Sequence, residues 1–95
     1  MPEKNLAAEN MLRRHLANPF LVLSLPVDAG IEQIERQGQK ILMMLAAGMS
    51  ESASYETPLG TRSLSEELVR EAIAELRDPD RRLIHEWWAR AWRKP

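Results

Sequence analysis

The stretch Asn18-Pro19-Phe20-Leu21-Val22-Leu23-Ser24-Leu25-Pro26-Val27-Asp28-Ala29 decides how the rest of the chain is read. Asn18 before Pro19 is a helix start with a mechanism. The Asn side chain can accept from an orphan backbone N–H, and proline at the first helical position gives up no bond that was available. Pro26 lies about two turns downstream and disfavours helical geometry at Leu25, so this helix is short. Phe20 and Leu23 are expected to face the core, with Leu21 and Leu25 as further candidates. Asp28 is a candidate cap for the helix that follows.

Downstream, Ile31, Ile34, Ile41, Leu42 and Leu45 recur at helical spacing and predict a long helix with one apolar stripe. Gly38 falls inside that stripe, where glycine costs about 0.5–1 kcal/mol against alanine. One reading is close approach of another helix; the other is a shallow groove for a ligand or a partner side chain. Gly48 is the expected C-terminal stop. Residues 49–63 then read as a long loop with a Pro58-Leu59-Gly60 turn. Connections beyond ~12–15 residues are uncommon in a compact domain unless functional or disordered. Tyr55, the only tyrosine, and Leu59 either staple this loop to the core or, with Arg62, present a contact surface. Ser63-Leu64-Ser65-Glu66 matches a capping box. The helix behind it carries Leu64, Leu68, Ala72, Ile73 and Leu76 on one face, and Glu67, Glu71 and Glu75 as an acidic ridge on another. Asp78-Pro79-Asp80 repeats the cap-then-proline start, and a last helix is expected from about Pro79 to Arg93. Its apolar stripe is Ile84, Trp87, Trp88, Ala91 and Trp92, with Arg82, Glu86 and Arg90 as an i, i+4 ladder.

Upstream, Ala8, Met11, Leu12, His15 and Leu16 sit three and four apart, which predicts an N-terminal helix over residues 5–16. The 95 residues make one small domain, 1–95, able to bury ~60–65% of its unfolded surface. With 28% charged and 44% apolar residues, a soluble globular domain is expected, and a net charge of -1 gives no global attraction to nucleic acid or anionic lipid. Without an apolar signal core or a run of ~20 apolar residues, a cytoplasmic location with no membrane span is the default expectation.

No catalytic constellation assembles. The chain lacks cysteine, so it has no thiol nucleophile, disulfide or thiolate zinc site. His15 and His85 have no ligand partner in a Glu-x-x-His arrangement, so no metal is expected. Neither a Gly-x-Ser-x-Gly elbow nor a phosphate-cradling Gly-rich loop occurs, and no cofactor or enzymatic activity is expected. The segment Trp87-Trp88-Ala89-Arg90-Ala91-Trp92-Arg93-Lys94 is open to two readings. Its indoles and cations can stack on bases or lie at a membrane interface. Alternatively, two indoles anchor the helix on the core and the third serves as a protein-interface anchor. The near-zero net charge favours the second.

Residues 18–88 resemble a J-domain, the DnaJ-like module that stimulates a DnaK-type chaperone ATPase. The resemblance rests on Asn18-Pro19-Phe20-x-Val22-Leu23, on Asp28-Ala29 with Ile34, and on Ala72-x-x-x-Leu76-x-Asp78-Pro79-x-Arg81-Arg82. It implies an all-α bundle, here with an extra N-terminal helix, whose second and third family helices form a long antiparallel pair. The family's His-Pro-Asp motif would fall at Ala46, Ala47 and Gly48, so all three functional side chains are missing. Gly38 replaces the usual aromatic of the second family helix. Glu32 and Glu35 offset Arg36 and Lys40, which removes that helix's basic face. The expected function is a non-catalytic protein-interaction or adaptor module that does not stimulate a DnaK-type ATPase. The candidate partner-binding residues are Tyr55, Leu59, Arg62, Trp88, Trp92 and Arg93. A divergent co-chaperone using another surface, and a nucleic-acid or membrane binder using the Trp/Arg helix, are the alternatives.

Overall fold

A computed structural model of the chain describes residues 16–49 and 53–92. Among these, the elements run α1 Pro19–Val22, α2 Ile31–Ala46, β1 Ser54–Thr57, β2 Gly60–Ser63, α3 Glu66–Arg77 and α4 Pro79–Trp92. The domain is therefore mostly helical with one antiparallel hairpin, and the all-α expectation is corrected. The hairpin occupies the stretch expected to be an open loop. Tyr55, Thr57 and Thr61 favour extended backbone, and Pro58-Leu59 make a two-residue connection into Gly60, whose φ is +117°. The helix expected over 5–16 lies outside the described residues except for Leu16, which is buried.

Helix α1 starts as its sequence dictates: the Asn18 side chain accepts from the Phe20 N–H, and Pro19 takes the first helical position. The cap of α2 differs from expectation. Gly30, not Asp28, is the N-cap, and no side chain bonds there. The preceding turn, closed by Ala29 N–H on the Pro26 carbonyl at 3.1 Å, starts the helix two residues later than an Asp28 cap would. The far end behaves as read, with Ala47 as C-cap and Gly48 at φ +74°. For α3 the cap is Ser65 rather than Ser63, with its Oγ accepting from Leu68 N–H at 3.1 Å. Ser63 is consumed by β2, so no capping box forms. Instead Leu64 just before the cap and Val69 in the helix are both buried in one cluster, the positions of a hydrophobic staple.

Helices α2 and α3 run antiparallel, since Glu35 meets Arg77 while Gly38 meets Ile73. The Glu35–Arg77 pair is bidentate at 2.6 and 2.8 Å. The arginine holds the Glu35 carboxyl below its usual range, chiefly through these hydrogen bonds. A Cβ on Gly38 would collide with the Ile73 side chain, so the glycine serves close helix approach. Phe20, Leu23, Ile34 and Leu76 fill the centre with almost no exposure. Each such burial is worth roughly 1.5–3 kcal/mol.

Helix α4 is rotated relative to its expected stripe. Ile84 and Trp87 are exposed, and the buried position is Ala89. The inward side carries the half-buried Arg82, His85 and Glu86 instead. The cause is Arg82, whose guanidinium donates to the carbonyls of Val27 at 3.1 Å and Ala29 at 2.6 Å. It also pairs with Glu86 at 2.7 Å and lies 5.5 Å from the Phe20 ring centroid. These partners bring Arg82 and Glu86, rather than Ile84 and Trp87, toward α1 and the turn before α2. No helix among the described residues is long and apolar enough to cross a membrane.

Candidate functional site

The surface that gathers the chain's unexplained features runs from the hairpin to α4. Strands β1 and β2 pair Tyr55 with Arg62 and Thr57 with Gly60. Thr57 Oγ1 braces the turn, donating to the Gly60 carbonyl at 2.7 Å and accepting from Leu59 N–H at 3.1 Å. A lone two-stranded hairpin is marginal in water, and Tyr55 is what holds this one down. Its ring is 5% exposed and its hydroxyl donates to the Leu16 carbonyl at 3.0 Å. Burial pushes the phenol pKa upward, opposed by the nearby Arg62 charge. Leu59, at the turn, is 66% exposed.

Between α3, α4 and the residues just before α1 lies an open groove of about 840 Å³. Leu68, Ala72, Ile84 and Trp88 give it an apolar lining, and Glu71, Glu75, Arg81 and His85 its polar one. A smaller depression of about 490 Å³ lies against Tyr55 and Arg62. Both include Ala17 and Leu68, so the two depressions adjoin along one path from the hairpin to Trp88. Outside the groove's lining, Leu83 and Trp87 of α4 are 67% and 64% exposed. Trp87 meets Trp88 edge to face, with centroids 4.8 Å apart.

Three of the groove's polar groups, Glu75, Arg81 and His85, are paired with one another. Glu75 accepts from Arg81 at 2.6 Å and lies 2.9 Å from His85 Nε2. His85, first, and Arg81 hold the Glu75 carboxyl below the usual carboxylate range. The buried Asn18 Nδ2 donates to the His85 carbonyl at 3.0 Å, which ties the start of α1 to α4. Among the described residues no buried side-chain polar atom lacks a partner, and no three His, Asp or Glu residues gather as a metal site would require. The arrangement is suited to holding an apolar segment between charged edges.

Of the residues singled out from the sequence, Arg62 and Trp88 lie on the path and Leu59 stands beyond it on the turn. Tyr55 is the staple, with its ring turned into the core. Trp92 ends α4, and Arg93 lies outside the described residues. Ala46, Ala47 and Gly48 form the exposed C-terminal end of α2. Sequence reasoning missed Leu83, Trp87 and the Glu75–His85 pair as surface features. The available signal was Ala89: it follows Arg82 and Glu86 by seven and three residues, hence shares their face. No family model matches the chain, and no curated protein or solved structure does either.

Proposed function

We propose that this chain is a non-catalytic protein-interaction module built on a J-like helical core, without the capacity to stimulate a DnaK-type ATPase. The observation that carries the reading is the apolar path from the hairpin to Trp88, lined by Leu68, Ala72 and Ile84; Leu59 on the turn and Leu83 and Trp87 on α4 are exposed outside its lining. An exposed apolar groove of this size is the usual mark of an interaction site. The J-like part is supported by the order of a short helix, an antiparallel long pair and a final helix started by Asp78-Pro79. The absent ATPase stimulation is supported by Ala46-Ala47-Gly48, which offers no ionisable side chain where the resemblance requires His-Pro-Asp. The non-catalytic part is supported by one of the groove's two carboxylates, Glu75, being committed to His85 and Arg81.

The test is affinity capture from lysate with the natural chain and with a Leu59→Ser/Trp87→Ser variant, both positions being exposed enough to leave the fold intact. A partner retained by the natural chain and lost by the variant is the expected result. Equal retention by both would remove this surface from consideration. In parallel, ATP turnover by a DnaK-type chaperone should not change when the chain is added, and a dose-dependent rise would overturn the second half of the reading.

A further inference from the structure

We propose that two copies of this chain associate antiparallel through the outer face of α4. Asp80, Leu83, Trp87 and Arg90 follow one another at spacings of three, four and three, the repeat of a seam between two helices. Ile84 flanks that seam. Leu83, Ile84 and Trp87 are 67%, 57% and 64% exposed. The other side of the helix is held to the domain through Arg82, Glu86 and Ala89, so the outer side is left uncovered among the described residues.

The placement of charge decides what fits this face. The seam has its acid at the N-terminal end and its base at the C-terminal end. Asp80 is exposed, and its carboxylate makes no ion pair among the described residues. The Arg90 side chain is 67% exposed and reaches Glu86 only at 3.9 Å, while Arg82 holds Glu86 at 2.7 Å. Consider a second α4 laid antiparallel, with a two-fold axis at the level of residue 85. Each Asp80 then stands opposite the Arg90 of the other copy. The same operation sets each Leu83 opposite the Trp87 of the other copy. One register therefore satisfies the ionic and the apolar pairs together, as a self-complementary contact requires. A parallel arrangement would oppose Asp80 to Asp80 and Arg90 to Arg90, which is repulsive.

The seam from Asp80 to Arg90 follows about 15 Å of helix. Trp87 is already braced edge to face by Trp88, so its indole has less freedom to lose on being covered. One helix face covers well under the roughly 800 Å² per partner of a standard interface, so the dimer is weak and concentration-dependent. None of the four seam residues lines the groove between α3 and α4. The inference thus goes beyond the interaction-module reading, and its test uses the purified chain alone.

Sedimentation equilibrium of the full-length chain from about 10 μM to about 1 mM spans the range of such contacts. The expected result is an average mass that rises from one chain toward two. Leu83→Ser should hold the mass at one chain throughout; the position is exposed, and helix content by circular dichroism checks the fold. Asp80→Lys alone and Arg90→Glu alone should each weaken association about tenfold at low salt, because each sets like charges at both ends of the seam. Asp80→Lys with Arg90→Glu re-forms both pairs in reverse and should recover most of the natural affinity. Association of the natural chain should itself weaken severalfold from low to high salt, a reading that needs no variant. A mass of one chain throughout would overturn the proposal and leave the face to a different protein. Association that survives Leu83→Ser, ignores the single charge exchanges or strengthens with salt would overturn it by placing the contact elsewhere. Weakening by the single exchanges without recovery in the double would overturn the antiparallel register.

Discussion

The hairpin and the last helix both bring aromatic side chains to the same side of the domain, and treat them in opposite ways. The hairpin spends its single tyrosine on the core, and its remaining side chains stay at the surface. Among its described side chains helix α4 fully buries Ala89 alone and holds on through Arg82, His85 and Glu86, which leaves Trp87, Leu83 and Ile84 in solvent. An apolar anchor therefore serves one element and a polar anchor the other. The element fastened by polar contacts is the one that can afford an apolar outer face.

The severest way to break the hairpin's half of this comparison is Tyr55→Ala. Removing a buried aromatic should lower unfolding free energy by about 3–5 kcal/mol in a urea titration. A loss below about 1 kcal/mol would mean that something other than Tyr55 holds the strands. Tyr55→Phe sharpens the same point, since it keeps the ring and leaves the Leu16 carbonyl without its donor. A cost of about 1–2 kcal/mol is expected from the same titration.

The two anchors should also fail at opposite ends of the pH scale. Folding lowers the Glu75 pKa from its ordinary 4.5, so the stability it contributes is present above that value and lost as pH falls through the folded value. Folding raises the Tyr55 pKa from 10.0, so that contribution is full below pH 10 and lost as pH rises toward the folded value. Glu75→Gln should flatten the acid limb of a stability–pH curve, by under about 1 kcal/mol for so accessible a pair, and leave the alkaline limb alone. The reverse pattern would exchange the roles assigned to the two anchors. The smallest effect is predicted for Trp87→Ser, within about 0.5 kcal/mol of the natural chain despite the size of the residue removed. A larger loss in thermal or urea unfolding would show that the indole contributes to the core after all.

Much of the helical frame was legible because its signals are local. Asn18-Pro19, Asp78-Pro79 and Gly48 act within a few residues of themselves, and each element begins or ends where they indicate. Gly38 was legible in kind, as a gap in an apolar stripe, although only Ile73 explains it. The hairpin escaped notice because Pro58-Leu59 is not one of the Asn-Gly or Asp-Gly turns that announce two-residue connections. Its strands are four residues each, too short for alternation to stand out. The orientation of α4 was illegible for a different reason. Treating the tryptophans as the buried stripe follows from hydropathy, but the deciding partners are backbone carbonyls at Val27 and Ala29, which have no sequence signature. For the candidate site, Tyr55 and Leu59 were open to the same two readings, and they divide: Tyr55 staples the hairpin to the core, its hydroxyl on the distant Leu16 carbonyl, while Leu59 is exposed on the turn.

Arg82 has a consequence for the order in which the protein comes together. The bend between α1 and α2 contains the Val27 and Ala29 carbonyls that its guanidinium takes up, so that bend is completed by a side chain more than fifty residues further on. During synthesis these carbonyls cannot take up this guanidinium until residue 82 has emerged. Closing so long a loop carries its entropy cost before the contact returns anything. Locking of the first turn thus belongs to the end of folding rather than to its beginning. A nascent chain halted before residue 82 would hold its α2–α3 pair with the bend still unlatched.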